Sequence, residues 1–161
     1  LVYGEIMDNV RKGTGNYSIN PFLPCYEYIP DGEPRIFGNR LYLYGSHDLF
    51  ESKSYCKGDY VCWSAPCDNL ADWKYEGVIY KRTQDPFIKR VLDRGRDSML
   101  STHLFAPDVI EINGKYYMYY GVGLSKSGIG VAVSDHPAGP FAYIGRVRYS
   151  KSELSVGWKD W

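Results

Sequence analysis

Apolar and polar positions alternate through residues 33–45, with the period of a β-strand that buries one face. The alternation is interrupted once, at Gly38 and Asn39, and such a pair between two alternating runs is typical of a two-residue hairpin turn. The stretch therefore predicts two short antiparallel strands.

Two further β-rich runs follow this hairpin. They are DYVCWSAP at residues 59–66 and DWKYEGVIY at residues 72–80, and a polar connection containing Asp68 and Asn69 separates them. Together with the hairpin they predict a group of four strands.

The same order of strands returns in the second half of the chain. APDVIEINGKYYMYYG at residues 106–121 matches IPDGEPRIFGNRLYLYG at residues 29–45, with Asn113 and Gly114 at the hairpin. IGVAVSDHPAGPFAYIGRVRY at residues 129–149 then matches YVCWSAPCDNLADWKYEGVIY at residues 60–80.

A repeated four-strand unit with an acidic residue at the start of its innermost strand is typical of propeller blades. We therefore predict an all-β fold, a β-propeller of four-stranded antiparallel blades with about two blades in this chain. A simple duplication of β-meanders is the alternative. The expected divisions are a lead segment at 1–20, blade 1 at 21–81, a connector at 82–102, blade 2 at 103–149, and a tail or disrupted start of blade 3 at 150–161.

The connector mixes Arg and Lys with Asp, which is typical of a solvated surface segment. We expect one helical turn in it, at residues 86–92.

The composition of the chain limits the classes of partner that it is expected to bind. The 19 basic residues balance the 19 acidic ones, so no global field attracts nucleic acid or an anionic membrane. The 16 Tyr, 4 Trp and 6 Phe favour strands and also surfaces on which sugars stack.

No apolar run reaches the roughly 18 residues of a transmembrane helix, and the first 20 residues lack the apolar core of an export signal. A cytoplasmic location is expected, although a chain that begins at Leu1 leaves secretion open.

The four cysteines do not have the spacing of a zinc site. We interpret Cys25, Cys56, Cys62 and Cys67 as reduced thiols and expect no metal site. A disulfide within residues 56–67 is the alternative for a secreted protein.

Asp31 and Asp108 stand at the start of the innermost strand in the two units. In a propeller this point lies at the mouth of the central channel, where ligands bind. Two carboxylates brought to one pocket perturb each other's pKa and favour a division into acid and base. We therefore expect the two aspartates to occupy equivalent places in a shared site.

Four stretches carry a family resemblance: NPFLPCYEYIPDGEPRIFGNRLYLYGSHD, YVCWSAPCDNLADWKYEGVIY, LFAPDVIEINGKYYMYYG and VAVSDHPAGPF. In their order and spacing, over roughly residues 20–149, they resemble the first two blades of glycoside hydrolase family 43. The resemblance implies a five-bladed propeller enzyme that acts on arabinose- and xylose-containing polysaccharides. A structural calcium ion occurs in some relatives, but no ligand set for it is recognisable in this sequence.

The resemblance also implies roles for individual residues in a reaction with inversion. Asp31 is similar to the general base of the family, and Asp108, in Ala-Pro-Asp, is similar to the aspartate that tunes pKa and orientation. The family's general acid is a glutamate further along the chain. Glu153 lacks the surroundings of that glutamate, and Glu33 is expected to be a structural hydrogen-bond acceptor.

Aromatic and histidine side chains near these acids are candidates for binding sugar. Phe105, just before Ala-Pro-Asp, stands where the family often has an aromatic residue at the sugar site, and His103 is a candidate to line the pocket, with core packing the alternative for both. Loop hydrogen bonds are expected for His47 and Asp48. Blade packing is expected for Tyr116, Tyr117, Tyr119 and Tyr120.

The sequence thus predicts part of an inverting glycosidase for arabinosyl or xylosyl linkages, inactive or nearly so as this chain alone because the general acid is missing. The alternatives are a non-catalytic carbohydrate-binding module and a truncated propeller without function. An open propeller face favours self-association.

Overall fold

The computed structural model of the chain describes residues 20–123 and 128–147. In these ranges the strands form two four-stranded antiparallel sheets, each in sequential order. Blade 1 contains β1 (Glu33–Phe37), β2 (Arg40–Tyr44), β3 (Tyr60–Pro66) and β4 (Lys74–Tyr80). Blade 2 contains β5 (Leu104–Ile112), β6 (Lys115–Val122), β7 (Ile129–Ser134) and β8 (Ala142–Arg146). The prediction of two successive four-strand units is confirmed.

Both predicted hairpin turns connect the first two strands of their blades. Asn113 and Gly114 have φ values of 52° and 74°, the double positive φ that a type I′ turn requires. In blade 1 Gly38 has a φ of 60°, as at the first central position of a type II′ turn. Each turn fixes the register of the strands on either side of it.

That register separates the two aspartates that the sequence places at equivalent positions. Counted from the hairpins, Asp108 opposes Tyr119 as Glu33 opposes Tyr44. The structural counterpart of Asp108 is therefore Glu33, and Asp31 lies two positions further from its hairpin. The difference lies in chain length, because six residues separate Asp31 from its hairpin turn and four separate Asp108 from its turn. On the other side of Asp108, a β-bulge leaves Ala106 and Pro107 without partners in the β5–β6 ladder.

The hydrophobic core lies between the facing surfaces of the two blades. Blade 1 contributes buried tyrosines from three strands, and blade 2 contributes Leu104, Met118 and Tyr120. A backbone hydrogen bond of 2.8 Å from Phe141 N to the Ile79 carbonyl oxygen ties the outer parts of the blades together. The described parts of the two blades therefore form one packed unit.

The connector between the blades contains the expected helical turn at residues 86–92. The expectation of a solvated segment is wrong for Asp85 and Ile88, which are fully buried, whereas Lys89 and Arg90 are exposed. A 3₁₀ helix (Arg82–Gln84) leads into helix α1 (Pro86–Leu92), whose first residue is proline. Asp85 caps α1 by accepting hydrogen bonds from Phe87 N at 2.9 Å and Ile88 N at 3.2 Å, and Ile88 is fully buried in the core.

The buried carboxylate of Asp85 also joins the connector to blade 2. Arg146 Nη2 lies 2.8 Å from both carboxylate oxygens, and Tyr120 Oη donates to Oδ2 at 2.9 Å. Tyr80 Oη lies 2.7 Å from Tyr120 Oη, which extends the network into blade 1. The carboxylate of Asp85 is thus paired inside the protein, where the connector meets the outer strands of the two blades.

Some sequence predictions concern other parts of the chain. Most of the lead segment, the tail and Glu153 lie outside the described residues. Within residues 20–123 and 128–147, no helix is long and apolar enough to cross a membrane.

Candidate active site

Asp31 lies in the turn that leads into β1 and is exposed to solvent. Its φ is 53°, in the left-handed region that Asp tolerates better than most residues. Gly45 allows this turn to pack on the end of β2, because a Cβ at position 45 would lie 2.9 Å from the Pro30 carbonyl oxygen and 3.2 Å from Gly32 Cα. The Asp31 carboxylate is therefore held at the end of blade 1.

The residue after Gly45 connects Asp31 to the other blade. Ser46 is fully buried, and its Oγ lies 3.4 Å from Asp31 Oδ2. The same oxygen accepts a hydrogen bond of 2.8 Å from the backbone N–H of Ala106 in blade 2. Ser46 thus bridges the aspartate of blade 1 and the bulge of blade 2.

The bulge in β5 presents Phe105. Ala106 has a φ of 36°, unusual for a residue with a Cβ, and Tyr60 Oη of blade 1 donates to the Phe105 carbonyl oxygen at 3.0 Å. The Phe105 side chain is partly exposed and stands beside Gly121, its partner on β6. An accessible aromatic side chain and an exposed carboxylate are therefore joined through the same hydrogen-bonded bridge.

Asp108 has a different environment. Arg35 of blade 1 donates to both of its carboxylate oxygens, with distances of 2.8 and 2.7 Å, and Val109 N donates at 2.7 Å. The Arg35 guanidinium lowers the pKa of Asp108. Arg35 also lies 3.2 Å from Glu33 Oε1. The charge that perturbs the pKa of Asp108 is therefore that of Arg35 and not that of Asp31.

His103 packs behind Phe105. It is 1% exposed, its Nδ1 lies 2.6 Å from the Tyr55 carbonyl oxygen, and its Nε2 lies 4.0 Å from Asp97 Oδ1. Burial lowers the pKa of the ring. The imidazole and the Phe105 ring have centroids 6.4 Å apart, so His103 supports the aromatic ring from inside the protein.

The loop after β2 contains the hydrogen bonds expected for His47 and Asp48. His47 Nδ1 lies 2.9 Å from the Asp59 carbonyl oxygen, and its Nε2 lies 2.9 Å from Glu27 Oε1. Asp48 accepts a hydrogen bond from Cys56 N. These contacts hold the loop that carries Cys56 under the site.

The thiols and acids do not form a metal centre in the part of the chain that the structure describes. The four cysteines are free there, and no group of three or more His, Cys, Asp or Glu side chains could hold a metal ion. Burial raises the pKa of the Cys56 thiol, which also forms a hydrogen bond with Ser46.

An apolar groove lies on the face of blade 1 that points away from blade 2. It has a volume of about 320 Å³ and includes the rings of Phe22 and Trp73, whose centroids are 5.1 Å apart, beside Leu41 and Leu43. We call it the blade 1 groove. It is a second surface with aromatic side chains, separate from the bridge at Ser46.

Three site residues were not identified from the sequence. Arg35 shares a strand face with Glu33 and Phe37 by the two-residue period, and this was a signal for a charge directed at blade 2. Ser46 and Tyr60 gave no such signal. A serine after a strand and a tyrosine in a tyrosine-rich sheet are both common, so local sequence does not distinguish them from residues without a role in the site. Their partners lie 60 and 45 residues away in the sequence.

The chain has relatives among characterised proteins. It matches the family model for glycosyl hydrolases family 43 over residues 37–156. It is 48% identical over 144 residues to a xylosidase/arabinosidase from Thermoclostridium stercorarium, an alignment that covers 88% of this chain and 28% of that protein. It is 33% identical over 125 residues to xylosidase/arabinosidase 43A from Humicola insolens, with 71% of this chain and 34% of that protein covered.

Solved structures show the same similarity. CoXyl43, a β-xylosidase/α-arabinofuranosidase from a compost microbial metagenome in complex with xylotriose, matches with a TM-score of 0.61 and 27% identity, over 80% of this chain and 37% of that chain. The GH43_1 enzyme from Xanthomonas citri complexed with xylose matches with a TM-score of 0.59 and 26% identity, over 75% of this chain and 33% of that chain. The predicted architecture is confirmed as part of a β-propeller, and the chain spans about a third of the length of these relatives.

Proposed function

Because this chain belongs to glycosyl hydrolase family 43, we propose that it is the base-bearing part of an enzyme that hydrolyses arabinosyl or xylosyl linkages with inversion. The observation that supports this most strongly is the bridge through Ser46, which joins the exposed Asp31 carboxylate to the bulge that carries Phe105. The substrates are arabinose- or xylose-containing oligosaccharides or polysaccharides, the chemistry named for the relatives.

In this proposal Asp31 is the general base. It accepts a proton from a water molecule as the water oxygen bonds to the anomeric carbon from the face opposite the leaving group. The glycosidic bond at that carbon breaks, and the leaving oxygen takes a proton from the general acid. In inverting enzymes these acid and base carboxyl groups are about 6.5–9.5 Å apart, which leaves room for the water.

Asp108 and Phe105 have supporting roles in the proposal. Asp108, ionised beside Arg35, contributes a fixed negative charge that tunes the site. The partly exposed Phe105 ring stacks on the face of the sugar, and the buried His103 keeps that ring in place.

A chimera tests the proposal. The residues of the Thermoclostridium stercorarium xylosidase/arabinosidase that align with this chain are replaced by those of this chain, which 48% identity makes practicable. We expect the chimera to hydrolyse a nitrophenyl xyloside or arabinoside, and Asp31→Asn to lower kcat by roughly two to four orders of magnitude. The same substitution at Asp135, an exposed residue paired with Lys115 in blade 2, is the control. Retention of activity by Asp31→Asn, or a folded chimera without activity, would contradict the proposal.

We also propose that the 161-residue chain alone turns over little substrate, since no residue assigned to its site is a general acid. Hydrolysis of the same nitrophenyl glycosides by this chain, abolished by Asp31→Asn, would overturn that statement. Exposed isoleucines on the outward faces of the blades, Ile36, Ile110, Ile112 and Ile144, favour self-association of the isolated chain. Sedimentation at several concentrations measures it.

The blade 1 groove supports a second candidate, sugar binding without catalysis. Phe22 and Trp73 offer aromatic surface beside an apolar wall. Xylose affinity that is lost in Trp73→Ala and unchanged in both Phe105→Ala and Asp31→Asn would favour this candidate over hydrolysis.

A further inference from the structure

We propose that Ser46 is a positioning residue, which fixes the Asp31 carboxylate of blade 1 relative to the bulge of blade 2. The inference rests on the proposed function, because it names what aligns the general base with the aromatic ring that binds sugar. Ser46 acts through hydrogen bonds to these groups and does not contact the substrate.

The hydrogen bonds of Ser46 have a defined direction. Its Oγ accepts from Ala106 N, a group that can only donate, at 2.8 Å. The Cys56 thiol also bonds to Ser46 and carries its own proton, which it can donate to the second lone pair of Oγ. The hydroxyl proton of Ser46 then goes to Asp31 Oδ2, a carboxylate oxygen that can only accept when ionised. At 3.4 Å this second contact is long, as hydrogen bonds in active sites without substrate often are before they shorten in the complex.

The bulge needs this support from blade 1. Ala106 is a residue with a Cβ at positive φ, a conformation that persists only where the surroundings enforce it. Its N–H is bound by Ser46, and the preceding carbonyl oxygen, that of Phe105, accepts from Tyr60 Oη at 3.0 Å. Two buried hydroxyl groups of blade 1 thus hold adjacent backbone groups of the bulge.

The far side of the bulge is fixed by charge. Arg35, also from blade 1, binds both oxygens of Asp108, which follows Ala106 by two residues. The bulge is therefore held at both ends by the neighbouring blade. Of these contacts only the one through Ser46 reaches Asp31, so loss of its hydroxyl separates the base from the bulge.

Backbone amide shifts measure this coupling without any assumption about activity. In the 161-residue chain labelled with ¹⁵N and ¹³C, the pH is lowered and the chemical shifts are followed. We expect the Ala106 amide resonance to move as Asp31 is protonated, with the same midpoint as the ¹³Cγ resonance of Asp31. The Val109 amide, which donates to Asp108, reports the titration of that second carboxyl group separately. In Ser46→Ala the Ala106 amide should lose its response to Asp31, while the Val109 response remains.

Tyr44→Phe is the matched control. Tyr44 is as buried as Ser46, and its Oη donates to the Pro137 carbonyl oxygen at 2.7 Å across the same blade junction, away from Asp31. A general effect of losing a buried contact between blades would appear in both variants. We expect the Ala106 response to survive in Tyr44→Phe.

Two outcomes would overturn the inference: a Ser46→Ala protein that keeps the Ala106 response, or a wild-type chain in which that amide does not follow Asp31. If Ser46→Ala does not fold, Asp31→Asn decides the question, because this exposed substitution must abolish the response at Ala106 and leave that at Val109.

Measurements of xylose affinity distinguish a failure of this inference from a failure of the proposed function. We expect Ser46→Ala to weaken xylose binding and Tyr44→Phe to leave it unchanged. Equal affinity in the two variants would show that the bridge positions nothing for the sugar and would refute the inference. A wild-type chain that shows the amide coupling but binds no xylose would count against the proposed function and leave the bridge established.

Discussion

The two blades share a strand order and a Pro-Asp sequence, yet they hold their aspartates in different ways. In blade 1 Asp31 precedes β1, is exposed, and lies beside the buried hydroxyl of Ser46. In blade 2 Asp108 is inside β5 and is paired with Arg35 through two hydrogen bonds. One carboxylate is exposed beside a hydroxyl group, and the other is paired with a guanidinium group.

The difference shows that a repeated motif does not guarantee a repeated place. Position in a blade is set by register from the hairpin, and six residues separate Asp31 from its turn where four separate Asp108 from its own. The structural counterpart of Asp108 is Glu33, which shares Arg35 with it. The two repeats therefore contain carboxylates in different environments, which suits a division of labour.

The largest expected effect separates the two aspartates directly. In the chimera, Asp31→Asn should lower kcat by roughly two to four orders of magnitude, because the attacking water loses its base. Asp108→Asn should cost less and should mainly change the pH profile, since Asp108 acts through charge. Equal losses in the two variants, at all pH values, would show that the environments do not assign different roles.

The two ion pairs between Asp85 and Arg146 and between Arg35 and Asp108 should contribute differently to the free energy of unfolding. Asp85→Ala removes the fully buried partner of Arg146 and the cap of α1, so the free energy of unfolding should fall by about 3–5 kcal/mol. Asp108→Ala breaks a pair whose side chains are 40% and 48% exposed, and should cost less than about 1 kcal/mol. Urea unfolding measures both. Similar losses would contradict this contrast.

Gly45→Ala tests the packing that holds Asp31. The added methyl group would overlap the turn at Pro30, so we expect a cost of about 1–3 kcal/mol and weaker xylose binding. Gly145→Ala in β8 is the control, because a Cβ there meets no atom within 4 Å. Urea unfolding and a xylose titration should leave this control close to wild type. A Gly45→Ala protein with wild-type stability and affinity would mean that the turn is held by other contacts.

The smallest effect concerns the charge of Asp108. Arg35→Gln should raise its pKa towards the ordinary value, which the ¹³Cγ titration of Asp108 measures. Because the folded pKa is depressed, the stabilisation is present above the unfolded value of about 3.9 and is lost as the pH falls through the folded pKa. The stability difference between wild type and Arg35→Gln should therefore disappear in acid. A difference that persists there would assign the effect to packing of the Arg35 side chain.

The repeat and its turns could be predicted because they depend on local sequence. Glycine and asparagine at the hairpins specify positive φ, and alternation specifies the strands. The bulge at residues 106–107 had one local signal, since Pro107 has no N–H to donate to a ladder. That signal was insufficient to choose the register, because the two repeats can be aligned at either acid.

The contacts that define the site could not be predicted. Arg35 and Asp108 are 73 residues apart, and Asp85 and Arg146 are 61 apart, so their pairing depends on how the blades pack. The charged connector reads as a surface segment for the same reason. Its buried carboxylate is stabilised by an arginine from the last strand of blade 2, which local composition does not reveal.

The role of the bridged Asp31 and Phe105 in sugar binding is tested most directly by a xylose titration of the ¹⁵N-labelled chain, with the shifted amides mapped onto the fold. We predict that the shifts concentrate at Asp31, Ser46, Phe105 and Ala106, where the exposed carboxylate and the aromatic ring are joined. Shifts confined to the blade 1 groove around Phe22 and Trp73, or none in a folded chain, would contradict it.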